Sequence, residues 1–224
     1  MEIIMYKNIE ILVSREDNYL QVNNLDEISD VWEYLKKDFA GFEVMFCYQN
    51  SSVPVDFLNK INAKLLDDAI EMRVTPGELT RFLKADPTIM PGDEDKSFDI
   101  LLVDKENFSD FAWFHDASNP DMYWTSKRIG EKMEMWRIFV YVNPELIVGQ
   151  VMVMNNFEIA SVTSKDEMHS KRLITIAATD AFSQGSTQVV YLINKTDTLN
   201  QLAAKSVGFV ECGFYKSFKV DKIG

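Results

Sequence analysis

The continuous stretch IVGQVMVMNNFEIASVTSKDEMHSKRLITIAATDAF (147–182) decides the fold of this chain, and QVVYLI (188–193), TLNQLAAKSVGF (198–209) and VECGFYKSF (210–218) continue it. The pattern predicts two strands, a charged turn, a helix, a strand, a second helix closed by Gly-Phe, and a final aromatic strand. A helix that follows a strand through a polar turn presents backbone N–H groups at its N-terminus, where phosphate binds well. The element order therefore predicts an α/β fold with a candidate phosphate site at the start of the first helix.

The amino-acid composition argues against some classes of binding partner and favours one cellular compartment. The 224 residues include 35 acidic and 23 basic ones, for a formal charge of −12. This charge repels nucleic acid and anionic lipid surfaces over long range. No apolar run approaches the roughly 20 residues that span a bilayer, and the N-terminal MEIIMYKNIE lacks the basic start of a signal peptide. We expect a cytoplasmic globular protein with no nucleic-acid and no membrane partner.

The two cysteines, Cys47 and Cys212, are far apart and belong to no CxxC motif. This spacing predicts neither a zinc site nor a disulfide framework, and we expect no metal. Both cysteines are expected to be buried as small apolar residues. The sequence also lacks a P-loop, a GxSxG elbow and an HExxH motif, so no other catalytic scheme competes strongly.

A composition break divides the chain. The segment ADPTIMPGDEDK (85–96) contains two prolines, a glycine and four acidic residues, and it interrupts the apolar periodicity. We place a boundary there, between an N-terminal α+β region (1–90) and a second domain (97–224).

The N-terminal region mixes helical and strand patterns. Apolar spacing predicts an amphipathic helix over 25–35, a strand over 43–48 and a longer helix over 55–70. Thr75 as N-cap, followed by Pro76 at the first helical position, predicts a short helix over 76–83.

The second domain begins with a predicted strand at 98–103. An aromatic stretch (106–124) then precedes a helix predicted over 126–135. Two strands, 136–142 and 147–154, are joined by a turn at 143–145. The turn Asn155-Asn156 that follows suits a tight hairpin, because Asn tolerates positive φ.

This element order, with Val148-Gly149-Gln150-Val151 in the hairpin and Gly208-Phe209 after the last helix, resembles the cofactor-binding half of the GNAT superfamily of acyl-CoA-dependent N-acetyltransferases. The resemblance covers about residues 97–224. It implies a GNAT-like mixed central sheet flanked by helices, acetyl-CoA as acyl donor, and a small-molecule or peptide amine as acceptor. The N-terminal region is then either a truncated copy of the same domain or a family-specific cap, which closes over the site or mediates a homodimer.

The resemblance assigns a general base and a cofactor groove. Glu158, at the start of its strand, would deprotonate the attacking amine, which is mostly protonated at neutral pH. The alternative is a plain surface carboxylate. The backbone of the same strand would pair with the pantetheine arm of CoA like an added strand. The residues of this stretch are Ile159, Ala160, Ser161, Val162 and Thr163.

The signature pyrophosphate loop of the family is altered in this sequence. The residues at its positions are His169, Ser170, Lys171, Arg172, Leu173 and Ile174. Arg172 and Ile174 replace small residues that let backbone amides approach the phosphates. The basic residues still form a positive face in an acidic chain, which fits either an anionic ligand or a solvated helix start. Asp197 stands at the family's Asn position and completes the predicted cofactor-binding set.

The acid that commonly protonates the leaving thiolate in this family is absent, because the Tyr position holds Ala204. Tyr191 and Tyr215 are either substitutes, or strand residues in the core or on the acceptor wall. A thiol has a pKa of about 8.5, so its thiolate leaves unaided and the loss weakens activity without abolishing it. His115 beside Asp116 is either an acid–base couple or a helix-end pair. The rival to an acetyltransferase is a non-catalytic GNAT-like binding or regulatory module.

Overall fold

The structure is a computed structural model, and it describes residues 2–25, 29–89, 99–120, 122, 124–143 and 146–224. The chain forms two compact units, Met1–Ile70 with Gly213–Gly224, and Glu71–Cys212. The two predicted domains, 1–90 and 97–224, meet near residues 90–98, which lie outside the described residues.

The first unit is a sheet with helices against it. Its elements are β1 (Glu2–Tyr6), β2 (Ile9–Ser14), β3 (Tyr19–Asn23), α1 (Ser29–Asp38), β4 (Glu43–Gln49), α2 (Val55–Lys60), the first part of β5 (Lys64–Val74) and the last part of β11 (Val210–Val220). Its strands follow the order β1, β2, β3, β4, β11. Neighbours β3 and β4 are parallel, and the other neighbours in this order are antiparallel. The strand predicted over 43–48 is confirmed.

Helix α1 forms because its apolar residues recur on one face. Val31 and Leu35 are buried and belong to one core cluster with Val44 and Phe46 of β4. This spacing confirms the helix predicted over 25–35, although the helix begins at Ser29 and ends at Asp38. Residues 26–28 lie outside the described part of the chain.

Three strands before α1 have no counterpart among the predicted elements. Lys7 and Asn8 both have positive φ, 46° and 67°, which is the geometry of a tight two-residue turn between β1 and β2. Ile11 and Val13 are buried and alternate with more exposed neighbours, the period of a one-sided strand. The alternation is present in the sequence, but Lys-Asn is a weaker hairpin signal than Asn-Gly.

The helix predicted over 55–70 is wrong in its second half. Helix α2 ends at Lys60, Asn62 has a φ of 55°, and β5 follows. Asn tolerates this left-handed conformation, which a continuing helix cannot contain. In β5 the Asp67 carboxylate accepts a hydrogen bond from the Ser217 hydroxyl of β11 at 2.6 Å. A partner about 150 residues away in the sequence thus favours the strand over the helix.

The second unit is a mixed sheet flanked by helices. Its elements are the rest of β5, α3 (Pro76–Ala85), a 3₁₀ turn (Pro87–Ile89), β6 (Asp99–Leu102), α4 (Phe108–Ser118), α5 (Ser126–Glu131), a 3₁₀ turn (Met133–Met135), β7 (Trp136–Asn143), β8 (Leu146–Met154), β9 (Glu158–Ser164), α6 (Glu167–Ser183), β10 (Val189–Asn194), α7 (Thr198–Ser206) and the start of β11. Its strands follow the order β5, β10, β9, β8, β7, β6. Strands β6 to β9 are antiparallel neighbours, and β9 and β10 are parallel. The strands and helices predicted over 136–218 are all present.

Local geometry differs from the predictions at two places in this unit. The helix predicted over 126–135 is a short helix followed by a 3₁₀ turn, because Lys132 leaves helical geometry with a φ of −132°. In the β8–β9 turn the positive φ, 66°, belongs to Phe157 and not to the asparagines. The turn predicted at 143–145 lies mostly outside the described residues.

The start of α3 confirms the predicted cap. The Glu78 carboxylate accepts hydrogen bonds from the Thr75 backbone N–H at 2.8 Å and from the Thr75 hydroxyl at 2.7 Å. Pro76 occupies the first turn, where a missing N–H is harmless. These local signals need no tertiary partner, which is why the sequence alone predicts them.

Helix α6 approaches the sheet closely because Gly149 has no side chain. A Cβ at this position would lie 3.0 Å from the carbonyl oxygen of Thr163 and 3.1 Å from Cδ1 of Leu173. Leu173 belongs to α6 and is fully buried. The glycine in β8 therefore sets the distance between α6 and the β8–β9 hairpin.

The two cysteines have different environments. Cys47 is buried, as predicted, whereas Cys212 is exposed and the prediction of burial is wrong for it. Cys212 lies at the start of β11, where Val210 and Glu211 are exposed as well. Its sulfur lies 3.5 Å from the carbonyl oxygen of Glu71.

Candidate functional site

The candidate site lies where β9 and β10 separate. These parallel strands, both wholly within the described residues, pair at two positions, Glu158 with Val190 and Ile159 with Tyr191. Each strand continues for several residues beyond these pairs. On its other side β9 pairs with β8 along most of its length. Beyond Ile159 the backbone of β9 therefore has an edge that β10 does not cover.

The five residues predicted to line the pantetheine arm all belong to this strand. Ile159 is still paired with β10, and the four that follow it lie along the separated part. The Val162 carbonyl oxygen is directed to the separated side, since it accepts a hydrogen bond from the Asn200 side chain at 3.1 Å. Their contact with a cofactor stays a prediction, but the strand edge that it needs is present.

Glu158 lies at the point where the strands begin to separate, and it is half-buried. Burial raises the pKa of the Glu158 carboxyl; a hydrogen bond from Asn156 opposes this shift, and the charge of Glu71 adds to it. A carboxylate whose pKa is raised toward neutral pH is a better proton acceptor. The position and the pKa direction both suit the predicted role as a base.

Helix α6 begins with its own carboxylate cap. Asp166 Oδ1 accepts the backbone N–H of His169 at 2.9 Å and lies 2.5 Å from the His169 ring Nδ1. The Ser170 N–H donates to the Asp166 carbonyl oxygen at 3.1 Å. Burial acts to raise the pKa of Asp166, but the hydrogen bonds from His169 outweigh it and lower the pKa. The Asp166 side chain thus satisfies one of the helix-end amide groups, the His169 N–H.

The six residues predicted to form a pyrophosphate loop lie inside α6, which begins at Glu167. The predicted loop conformation is therefore wrong, and the reason is local. No glycine interrupts the stretch after Asp166, and an Asp at the N-cap followed by Glu starts a helix well. A role for these residues in phosphate binding stays a prediction.

The side chains of these six residues have partners within the chain or lie in the core. Lys171 pairs with Glu167 at 2.7 Å, and Arg172 Nη1 donates a hydrogen bond to the Tyr141 hydroxyl. The fully buried members of the set are Ser170, Leu173 and Ile174. The positive face that the sequence predicts is thus largely engaged in intramolecular contacts.

Asn200, which is absent from the predicted site residues, joins β9 to the starts of both helices. Its side-chain amide donates to the Val162 carbonyl oxygen and, at 2.7 Å, to the Asp197 carboxylate. Its side-chain oxygen accepts the Ser170 hydroxyl at 2.7 Å. Asp197 caps α7 by accepting the Asn200 N–H at 3.0 Å. The signal in the sequence is the spacing of Asn200 from Ala203, which puts a polar residue on the buried face of α7.

Comparisons of sequence and structure with known proteins place the fold. No family model matches the sequence, and no curated protein matches it. Three similar solved structures are a functionally unknown conserved protein from Staphylococcus epidermidis ATCC 12228 (TM-score 0.71, 14% identity, covering 99% of this chain and 94% of that chain), a GCN5-related N-acetyltransferase from Kribbella flavida (0.66, 11%, 100% and 90%), and a tandem GNAT protein from the clavulanic acid biosynthesis pathway (0.58, 9%, 96% and 78%).

The chain has the GNAT fold. The predicted fold class, a GNAT-like mixed central sheet flanked by helices, is confirmed. At these low identities the likeness concerns the fold alone, so the chemistry must be argued from the residues of this chain.

Within this GNAT fold, neither tyrosine named as a substitute acid stands at the family's position. Ala204 occupies that position and is fully buried. Tyr191 is buried in β10, and burial raises its pKa well above the ordinary value. Tyr215 belongs to the first unit, where its hydroxyl donates to the Cys47 sulfur at 3.1 Å. Both tyrosines thus have the environment of core residues.

His115 and Asp116 at the end of α4 have separate partners. His115 is fully buried; its Nε2 lies 2.7 Å from the Trp124 carbonyl oxygen and its Nδ1 2.8 Å from Gln150 Nε2. Because a carbonyl only accepts, Nε2–H is the donor to Trp124, and Nδ1 accepts a hydrogen bond from the Gln150 side-chain amide. Asp116 accepts the Ser126 N–H at 2.9 Å. This geometry supports the helix-end interpretation of the pair.

A cavity of about 300 Å³ lies away from the separated strands. It is lined by residues near the C-terminal end of α6 and the β8–β9 turn, including Arg137, Phe157 and Asp180. Two of the lining residues form an ion pair, in which the Arg137 guanidinium donates two hydrogen bonds of 2.6 Å to the Asp180 carboxylate. The cap at Asp166 is at the opposite end of the same helix, so this cavity is not the predicted cofactor groove.

The described part of the chain contains neither a membrane-spanning helix nor a cluster of metal ligands. None of its helices is both long enough and apolar enough to cross a bilayer. It also contains no cluster of three or more His, Cys, Asp or Glu residues arranged to hold a metal ion.

Proposed function

We propose that this protein is an acyl-CoA-dependent N-acetyltransferase that transfers an acetyl group from acetyl-CoA to an amine by direct attack. The observation that carries the proposal is the early separation of β9 from β10, which pair only at Glu158 and Ile159 of β9. An uncovered strand edge accepts an extended ligand containing amides, because the ligand completes the ladder of backbone hydrogen bonds. The pantetheine arm of CoA is such a ligand.

Glu158 is the proposed base. The attacking amine is mostly protonated at neutral pH, and its nitrogen needs a free lone pair. Glu158 lies at the fork of the strands, and burial raises the pKa of its carboxyl. It can take the proton of the ammonium, directly or through water.

The proposed step balances without any further reagent. The amine nitrogen attacks the thioester carbonyl carbon, a C–N bond forms, and the C–S bond breaks. The attacking nitrogen loses its second proton to water, and the thiolate leaves and takes a proton from water in exchange. Glu158 then returns to solvent the proton that it took from the ammonium. Backbone N–H groups of β9 on the separated side would polarise the carbonyl oxygen. The acceptor is a small molecule or a peptide amine, and the formal charge of −12 favours a cationic one.

Thermal unfolding with and without acetyl-CoA tests donor binding. At about 100 times its dissociation constant, acetyl-CoA adds about 2.7 kcal/mol, which for a chain of this size predicts a midpoint rise of roughly 5–11 °C. ATP serves as a control for nucleotide binding. Release of free thiol that requires both acetyl-CoA and an amine then tests transfer, with Glu158→Gln as the variant expected to abolish it. No midpoint rise and no thiol release with any amine would reject the proposal.

A second candidate function is a non-catalytic binding or regulatory module. The observation that favours it is the occupied start of α6, where Asp166 and its partners stand in place of a glycine-rich loop. The missing Tyr at Ala204 points in the same direction. A midpoint rise with acetyl-CoA but no amine-dependent thiol release would favour a module that binds the donor without turnover.

A further inference from the structure

Resting on the proposed function, we infer that the acyl donor is held by its pantetheine arm alone, so that pantetheine thioesters without the nucleotide serve this site as well as acetyl-CoA does. The donor class is then the acyl-pantetheine thioester in general. The nucleotide of CoA would remain outside the contacts that determine affinity. Four features of the second unit support this inference.

The first feature is the supply of amide groups at the start of α6. A phosphate binds a helix end through backbone N–H groups that have no partner in the helix. Here one of these groups, the His169 N–H, donates to the Asp166 carboxylate at 2.9 Å. A pyrophosphate would have to displace the carboxylate to reach this group.

The second feature is charge. Asp166 and Glu167 are consecutive carboxylates at this helix end. Basic side chains lie close to these carboxylates: His169 Nδ1 lies 2.5 Å from Asp166, Lys171 Nζ lies 2.7 Å from Glu167, and the charge of Lys165 acts on Asp166. An incoming pyrophosphate would be repelled by these two carboxylates and would compete with Glu167 for Lys171, which is unfavourable by Coulomb's law.

The third feature is the packing of the next turn. Ile174 and Leu173 are fully buried, and Arg172 donates to the hydroxyl of Tyr141 on β7. Close approach of a phosphate to a backbone requires small residues at the contact. Asp166 and the bulky residues after it leave the helix end without that feature.

The fourth feature is the strand edge, which is retained. Strand β9 separates from β10 beyond Ile159, so its backbone can pair with an extended arm. The Val162 carbonyl accepts one hydrogen bond from Asn200, and a carbonyl oxygen has a second lone pair. The strand edge that recognises pantetheine is therefore present, while the His169 N–H at the helix end is occupied by the Asp166 carboxylate.

Isothermal titration of the full chain with acetyl-CoA and with S-acetyl-pantetheine tests this inference. We expect the two dissociation constants to agree within fivefold. Acetyl-CoA binding more than fivefold tighter would overturn the inference and leave the proposed function standing. Binding of neither compound would overturn both.

The variant Asp166→Asn gives an independent measurement. Asn caps a helix about as well as Asp, so the fold is retained while one negative charge is removed. If the carboxylate excludes pyrophosphate, this variant should bind acetyl-CoA at least threefold tighter and S-acetyl-pantetheine unchanged. Asp30→Asn, in the exposed first turn of α1, is the control for net charge and should change neither constant. An Asp166→Asn variant with unchanged or weaker acetyl-CoA binding would contradict the exclusion.

Discussion

The Asp166 carboxylate oxygen Oδ1 lies 2.9 Å from the backbone nitrogen of His169 and 2.5 Å from the ring Nδ1 of the same residue. One side chain thus holds two donors at the N-terminus of α6, the helix end that faces the candidate site. A helix end of this kind can bind an external anion or provide an internal one. In this chain it provides an internal one, and the stability of the helix then depends on that carboxylate.

Asp166→Ala should therefore lower the free energy of unfolding by about 0.5–2 kcal/mol at pH 7, the usual contribution of an N-cap. The folded-state pKa of Asp166 is lowered, so its contribution is present above the unfolded pKa of about 3.9 and is lost as the pH falls through the folded pKa. Urea unfolding at pH 7 and at the lowest pH where the fold persists measures this. An equal deficit at both pH values would contradict it.

Glu158→Gln should stabilise the fold at neutral pH while abolishing transfer. The folded pKa of Glu158 is raised, so the protonated form is the one that the fold favours, and this stability is lost as the pH rises through the folded pKa. Gln resembles the protonated form. The midpoint gain should be a few degrees at pH 7, since about 1 kcal/mol corresponds to about 2–4 °C for this size.

The same Glu158→Gln gain should disappear below the unfolded Glu pKa of about 4.3, where both side chains are neutral. Differential scanning calorimetry as a function of pH measures it. Glu10→Gln on an exposed position of β2 is the control and should shift the midpoint little at either pH. A Glu158→Gln protein less stable than the wild type at pH 7 would be evidence against the buried carboxylate.

Gly149→Ala should destabilise the second unit by about 1–3 kcal/mol, the usual effect of overpacking. The added Cβ would meet a backbone oxygen at 3.0 Å and the Leu173 side chain at 3.1 Å, and the backbone oxygen cannot move aside cheaply. Gly77→Ala in α3 is the matched control, because a Cβ there meets nothing within 4 Å. Alanine in a helix is neutral or slightly stabilising. Equal midpoints for the two variants would show that α6 does not pack on β8 as described.

Asn200→Leu should destabilise the fold by more than 2 kcal/mol. The substitution leaves the Val162 carbonyl, the Ser170 hydroxyl and the Asp197 carboxylate without this partner, and each buried polar group that loses its partner costs about 1–3 kcal/mol. Leu202→Ala, at an exposed position of the same helix, should change stability by less than about 0.5 kcal/mol. Chemical denaturation of both variants measures their free energies of unfolding and shows whether the fold requires the Asn200 side chain.

The sequence predicted those elements best whose signals are local or strictly periodic. Thr75 and Pro76 predict the start of α3 from two adjacent residues, and the structure adds the hydrogen bonds that Glu78 accepts from Thr75. The alternation between strand and helix periods over 136–218 likewise predicts the order of elements in the second unit. Such patterns reflect which face of one element is buried, and that is encoded within the element itself.

The helix prediction over 55–70 was wrong in its second half because the local pattern there fits two structures. The apolar residues at 65, 66, 69 and 70 suit a helix and a strand alike, and contacts such as that of Ser217 with Asp67 favour the strand. The loop prediction at the start of α6 was wrong for a different reason. The resemblance predicts a glycine-rich loop there, whereas the stretch contains no glycine and Asp166 caps the helix.

By itself the sequence determined the α/β order of the second unit and the start of α3 at Thr75, because each depends on neighbours in the chain. Glu158 became a candidate base through the resemblance to the GNAT superfamily. Tertiary structure decided the separation of β9 from β10, the burial that raises the pKa of Glu158, and the bridge that Asn200 forms between β9 and two helices. These features depend on groups brought together from distant parts of the chain, and no local period or propensity specifies such a meeting.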